Sequence, residues 1–267
     1  MLRNQFLIVF CACSLVLALA AVPCGAVLII SEDFAYPDGN FDGSQNGGFS
    51  AGGGDEWTSA WVFNGQSDSG IDAWRILNER ANAPGNETQP GNKNRQTGTV
   101  TRSFTTGQAS GTTMYFGFDF ERVNDAEGSY RTSVDFLGGD VWVGMQNDRL
   151  RASIGGSTVD NGSNSFNSLT FVARVEFNAV GSDEVLTVWQ DPTSESDAPL
   201  MTAQADIGVL DLGTSVVLNK NSQDNNQANI DNLKLGTDFH FIPEPATLTL
   251  ASLGLSALIS SGRRRKR

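Results

Sequence analysis

The central part of this chain lacks cysteine. Cys11, Cys13 and Cys24 all fall near the N-terminus, so from residue 27 onward no disulfide, thiol nucleophile or Cys-ligated zinc is available. Its stability has to come from a packed core. Histidine is almost missing: His240 is the only one, which excludes a multi-His metal site and leaves a Ser-His-Asp triad almost no material. Basic residues are scarce too. Setting aside Arg3, the five C-terminal cations and Glu244, the 18 basic and 30 acidic residues fall to 12 and 29, a net charge of −17. A surface that acidic repels nucleic acid and anionic lipid. It suits neutral ligands such as sugars, or weak binding of divalent cations. Convincing amphipathic helices are absent, and uninterrupted apolar runs occur only at the two ends.

Those ends read as addresses rather than structure. Arg3, an apolar core over residues 6–21 and small residues at Cys24-Gly25-Ala26 form the pattern of a secretory signal peptide, residues 1–26. At the other end come Pro243-Glu244-Pro245, an uncharged leucine-rich stretch over 246–260, and Arg263-Arg264-Arg265-Lys266-Arg267. A helix of about 15–17 residues is at the short end of what crosses a hydrocarbon core, and the cations hold its end cytoplasmic. This three-part tail, residues 241–267, resembles the PEP-CTERM sorting signal of Gram-negative bacteria. The resemblance implies a precursor anchored in the inner membrane. An exosortase would cleave at the Pro-Glu-Pro motif and release the body to the cell surface or extracellular matrix. An unprocessed tail anchor is the plainer alternative.

Residues 27–240 carry period-two patterning. Met114, Phe116, Phe118 and Phe120 alternate with Tyr115, Gly117 and Asp119. Leu169, Phe171, Ala173, Val175 and Phe177 repeat the pattern. Val141, Val143 and Met145 share a face opposite Trp142. Further strands are expected over 130–136, 150–154, 184–189, 216–218 and 230–235. Asn147-Asp148 predicts a tight hairpin between 141–146 and 149–154, and Gly181-Ser182-Asp183 joins two more strands. Residues 78–98 and 219–229 are polar and predict long surface loops. Many short strands without helices argue for one antiparallel β-sandwich.

A second resemblance covers most of this region. Glu32-Asp33-Phe34, Tyr36-Pro37-Asp38-Gly39, Gly47-Gly48, the segment from Trp57 to Trp61, and Ile230-Asp231-Asn232-Leu233-Lys234-Leu235 look like parts of concanavalin A-like lectin/glucanase domains. The resemblance implies a jelly roll with its first and last strands adjacent, and a family that includes lectins, laminin-G-like modules and glycoside hydrolases. Fold alone does not choose among these. The Glu-x-Asp-x-x-Glu spacing that arms the glucanase branch is absent, so no catalytic residue is assigned.

Two other groups are candidates. Strict alternation puts Asp231 on the face of Leu233 and Leu235, hence in the core, where a carboxylate needs partners. A structural Ca²⁺ shared with Glu32 or Asp33 is one solution; donors from backbone or a Trp indole are the other. Trp74 and Trp142 are the candidate carbohydrate-stacking residues, while Trp57, Trp61 and Trp189 read as core. The expectation is an exported, non-catalytic, lectin-like domain for extracellular polysaccharide. The alternatives are an inert structural matrix protein, which would bury all five tryptophans, and a secreted glycoside hydrolase.

Overall fold

The computed structural model describes residues 28–40, 57–65, 74–83, 97–104, 113–123, 131–147, 149–162, 168–180, 183–207, 215–221 and 227–241. The signal-peptide pattern, the Pro243-Glu244-Pro245 motif and the basic tail lie outside these residues. Among the described residues, no helix is long and apolar enough to cross a membrane.

Sixteen strands follow in chain order. The first six are β1 (Leu28–Glu32), β2 (Gly39–Asn40), β3 (Val62–Gly65), β4 (Arg75–Ile76), β5 (Ala81–Ala83) and β6 (Thr97–Ser103). Then come β7 (Thr113–Arg122), β8 (Arg131–Phe136), β9 (Val141–Gln146), β10 (Arg149–Ile154) and β11 (Ser157–Asp160). The last five are β12 (Ser168–Val180), β13 (Asp183–Gln190), β14 (Met201–Ala205), β15 (Ser215–Asn221) and β16 (Ala228–Gly236). Among the described residues, helix is confined to short 3-10 turns at Leu137–Gly139 and Phe239–Phe241.

These strands form two antiparallel sheets. One is nine-stranded, in the order β14-β13-β12-β7-β16-β5-β4-β2, with β1 also on β16. The other is seven-stranded, β11-β10-β9-β8-β15-β6-β3. The long strand β16 serves two neighbours on one edge: its first half pairs with β5 and its second half with β1, with Glu32 opposite Leu233. The expected adjacency of first and last strands is therefore present.

The alternating apolar faces meet between the sheets. Phe116, Phe118 and Phe120 of β7 and Phe171 of β12 are buried, as are Val134 and Phe136 of β8 and Val141, Val143 and Met145 of β9. Phe116 and Phe136 pack across the interface with ring centroids 4.0 Å apart. Each such ring contributes about 1.5–3 kcal/mol by leaving water.

Two expectations are corrected. Residues 78–98 are not one long loop, because Ala81–Ala83 forms a fully buried strand whose small side chains fit between β16 and β4. Both ends of 219–229 likewise extend strands β15 and β16. The parity of β16 also changes partway along. Asp231 pairs with Asp119, but Lys234 pairs with Gly117, so β16 has one extra residue there. Asn232 takes the left-handed φ of 50° at this bulge. Ile230, Leu233 and Leu235 all face the core, and Asp231 is turned to the opposite face.

Candidate functional site

On β9, Val141, Val143 and Met145 enter the core, so Trp142 and Gly144 point to the outer face of the seven-stranded sheet. Cross-strand pairing places Val217, Asp135, Trp142 and Ser153 in one row there. Asn219, Ser133, Gly144 and Arg151 form the next row. The margins of this face are exposed, with Val62 at 58% and Thr158 and Asp160 open to solvent. Its centre is not: Ser133, Asp135, Trp142 and Ser153 are buried. Polar groups thus lie at the bottom of the face as well as at its rim.

These central groups are bonded to one another. Arg131 Nη2 and Ser133 Oγ donate to Asp135 Oδ1 at 2.7 and 2.6 Å. Arg131 Nε donates to Ser133 Oγ at 2.9 Å, and Asn219 Nδ2 donates to Asp135 Oδ2 at 3.2 Å. The Arg131 guanidinium lies 4.1 Å over the Trp142 ring, a cation–π stack. Burial pushes the Asp135 carboxyl above its ordinary range, opposed by the charge of Arg131 and by the Ser133, Arg131 and Asn219 hydrogen bonds. A carboxylate perturbed by desolvation beside a specific charge partner is the physical mark of a candidate site.

The structure places Trp142 on the outer face, as alternation predicts, but not as an open stacking platform. Its face is occupied by Arg131. Trp74 is fully buried in the core cluster, so it is withdrawn as a carbohydrate-stacking residue. All five tryptophans are buried. Trp189 belongs not to the main core but to a satellite cluster with Tyr115, Val172 and Phe239, on the outer face of the nine-stranded sheet. There Arg174 lies 5.4 Å from the Trp189 ring.

The three candidate metal ligands do not come together. Glu32 is buried and already has a cation, because its Oε2 accepts from Arg102 Nη1. The same oxygen accepts from Trp61 Nε1 at 3.0 Å and from the Tyr36 hydroxyl at 2.9 Å, and Oε1 accepts from the Phe34 amide at 2.9 Å. Arg102 also lies 4.4 Å over Trp57 and donates from Nε to the Ser59 carbonyl at 3.0 Å. Burial, then the Glu32 charge, pushes the Tyr36 hydroxyl up to about 12. Asp33 is exposed and accepts from the Ala35 amide at 3.3 Å. Among the described residues no three His, Cys, Asp or Glu side chains are grouped to hold a metal ion, and the donor set expected for Ca²⁺ does not fit one.

Asp231 instead lines an open cleft of about 250 Å³ on the outer face of the nine-stranded sheet, with Arg80, Asp119, Glu121, Thr170, Asp191 and Asn232 among its walls. Two left-handed residues shape it, Asn232 and Asp191 (φ 45°). Asn232 Nδ2 donates to Asp119 Oδ2 at 2.7 Å, and the Thr170 amide donates to Asp191 Oδ1 at 2.7 Å. Arg80 bonds Glu121 at 2.6 Å and stands 3.6 Å from Asp231. Burial raises the Asp231 carboxyl; the Asn232 amide and Arg80 oppose this, and the nearby Asp119 and Asp33 charges add to it. The cleft was missed because strict alternation hid the bulge. The spacing of three between Ile230 and Leu233 was the available signal, since no regular strand buries both.

The chain matches no family profile and no curated protein sequence. Its fold is similar to an uncharacterised protein of Mycobacterium paratuberculosis at TM-score 0.49 and 11% identity, covering 77% of this chain and 99% of that one. It is similar to an endo-β-1,4-glucuronan lyase of Trichoderma reesei at TM-score 0.41 and 13% identity, covering 78% and 96%. A chain of botulinum neurotoxin type C, whose cell entry depends on two ganglioside molecules, matches at TM-score 0.48 and 9% identity over 85% of this chain. The present chain spans 51% of that toxin chain and 43% of the chain in HCR/D-Sa-GBL1/C. Likeness at this level reaches no individual side chain.

Proposed function

We propose that this is an exported protein of the cell surface or extracellular matrix whose sandwich, of concanavalin A-like jelly-roll type, binds carbohydrate without turning it over. One observation carries the reading: a recessed polar face in which Arg131, Ser133 and Asn219 converge on Asp135 and the Arg131 guanidinium lies over Trp142. Sites for small polar ligands combine recessed walls with a few convergent hydrogen-bonding groups. Here the groups are pre-ordered, so little side-chain entropy is lost on binding. Trp142 supports Arg131 from beneath and is a positioning residue.

The spacing of carboxylates on this face supports a reading without glycoside hydrolysis. Glycosidases need two carboxyl groups about 5–9.5 Å apart. The other carboxylate on these two rows is Asp160, on β11, three strands from Asp135 on β8. At about 4.8 Å per strand that is too far.

Binding is tested on a glycan array with wild type and Trp142→Ala, each with calcium and with chelator. The expected result is a defined set of wild-type signals, unchanged by chelator and lost or cut at least tenfold in the variant. The second reading, an inert acidic building block of the matrix, is favoured by the burial of all five tryptophans. An array on which folded wild type binds nothing would establish that reading instead.

Export rests on the two terminal patterns. Processing by an exosortase at Pro243-Glu244-Pro245, in a Gram-negative cell, removes the apolar helix and Arg263–Arg267. Intact mass of the protein from its native host should correspond to a chain ending near residues 243–245; recovery with the basic tail attached contradicts it.

A further inference from the structure

The chain is acid-rich, yet the outer face of the seven-stranded sheet concentrates arginine. Arg131, Arg149 and Arg151 stand there against two carboxylates on the same rows, Asp135 and Asp160. Arg131 is matched by Asp135. The other two guanidinium groups share a single oxygen, Asp160 Oδ2, at 3.4 Å from Arg149 and 3.6 Å from Arg151. Among the described residues of this face, three guanidinium groups thus stand against two carboxylates. Arg151 Nη1 donates to Gln146 Oε1 at 3.2 Å, but its Nε is buried with no hydrogen-bond partner. A buried donor left unmatched is unfavourable and calls for an explanation.

Gly144 stands between Ser133 and Arg151 in its row. A Cβ there would come within 2.3 Å of the Thr132 carbonyl oxygen, so the position stays bare. Ser133 and Arg151 therefore flank this tightly packed glycine on either side, next to the Trp142 row. A guanidinium fork matches a carboxylate in geometry and charge better than it matches a hydroxyl. The exposed pairs to Asp160 are long and weak, and a ligand anion can replace them.

We propose that Arg151, assisted by Arg149, is a carboxylate-recognising subsite, so that the glycan held on this face is acidic, a uronate-containing polysaccharide. This rests on the reading that the face binds carbohydrate, and it reverses the expectation from net charge that the ligand is neutral. Local charge decides, because at physiological salt the charges elsewhere on the surface are screened beyond about 8 Å.

The test compares an oligogalacturonate with its methyl ester, by calorimetric titration of the protein at low and high salt. The acid form should bind at least tenfold more tightly, with the difference shrinking as salt rises. Arg151→Gln should abolish the difference while leaving the ester's affinity unchanged, and Arg151→Lys should keep part of it. Arg149→Gln, at an exposed margin that does not endanger folding, should reduce the preference severalfold. Equal binding of acid and ester overturns the acidic subsite and leaves carbohydrate binding standing, as does an undiminished preference in both Gln variants. Failure of wild type to bind either form overturns both.

Discussion

Arginine explains where the tryptophans went. Arg102 lies over Trp57, Arg131 over Trp142 and Arg174 near Trp189, so guanidinium groups stand against three indoles, among them the sugar-stacking candidate Trp142. Nothing in the spacing of Trp142 reveals this, because Arg131 is on a different strand. Glu32 entered the sequence reading only as a possible co-ligand of a Ca²⁺ shared with Asp231, whereas in the structure its cationic partner is Arg102, 70 residues away. Removing one partner of so buried a pair costs on the order of 3–5 kcal/mol. Asp135 gives the sharpest test at this scale. Its carboxyl is raised in the folded protein, chiefly by burial. A raised carboxyl binds its proton more tightly folded than unfolded, so its stabilising contribution is complete below the ordinary value of 3.8 and is lost as pH rises through the folded value. The melting-temperature advantage of wild type over Asp135→Asn should therefore shrink from about pH 3 to about pH 7. An advantage that grows over that range would mean that Arg131 outweighs burial.

At the scale of elements, alternation reads well where a strand is regular and buried on one face. It places β7, β9 and β12 and the two-residue link from Gln146 to Arg149, where Asn147 has φ 52°. It fails where a strand is too short to alternate, as in Ala81–Ala83, or places a single apolar residue against the core, as in β11 with Val159. The Gly155-Gly156 pair between Ile154 and Ser157, both with positive φ, was the overlooked hairpin signal for β11. The bulge in β16 matters most, because it turns Asp231 out of the core and into the cleft. Its requirement is a left-handed residue at 232. Asn232→Gly should change stability little, whereas Asn232→Val, equally without the bond to Asp119, should cost about 1–2 kcal/mol in denaturant unfolding. A Val variant as stable as the Gly variant would mean the bulge is not fixed at this position.

Across the whole molecule, the two sheets present unlike outer faces. The nine-stranded sheet carries a mainly acidic open cleft, and the seven-stranded sheet carries a recessed cluster of arginine, serine, asparagine and Trp142. Composition and spacing foretold a sandwich, and the resemblance to concanavalin A-like domains implied its adjacent terminal strands. They did not foretell which outer face is chemically distinct, because that depends on side chains brought together from four different strands. The central claim is that the seven-stranded face holds the glycan. Hydrogen exchange with and without a saturating oligosaccharide reads this directly. The account predicts slowed exchange in residues 131–146, 149–154 and 215–221, with 113–122, 168–176 and 228–236 unchanged. Protection confined to the second set, which carries the Asp119 and Asp231 cleft, would contradict it.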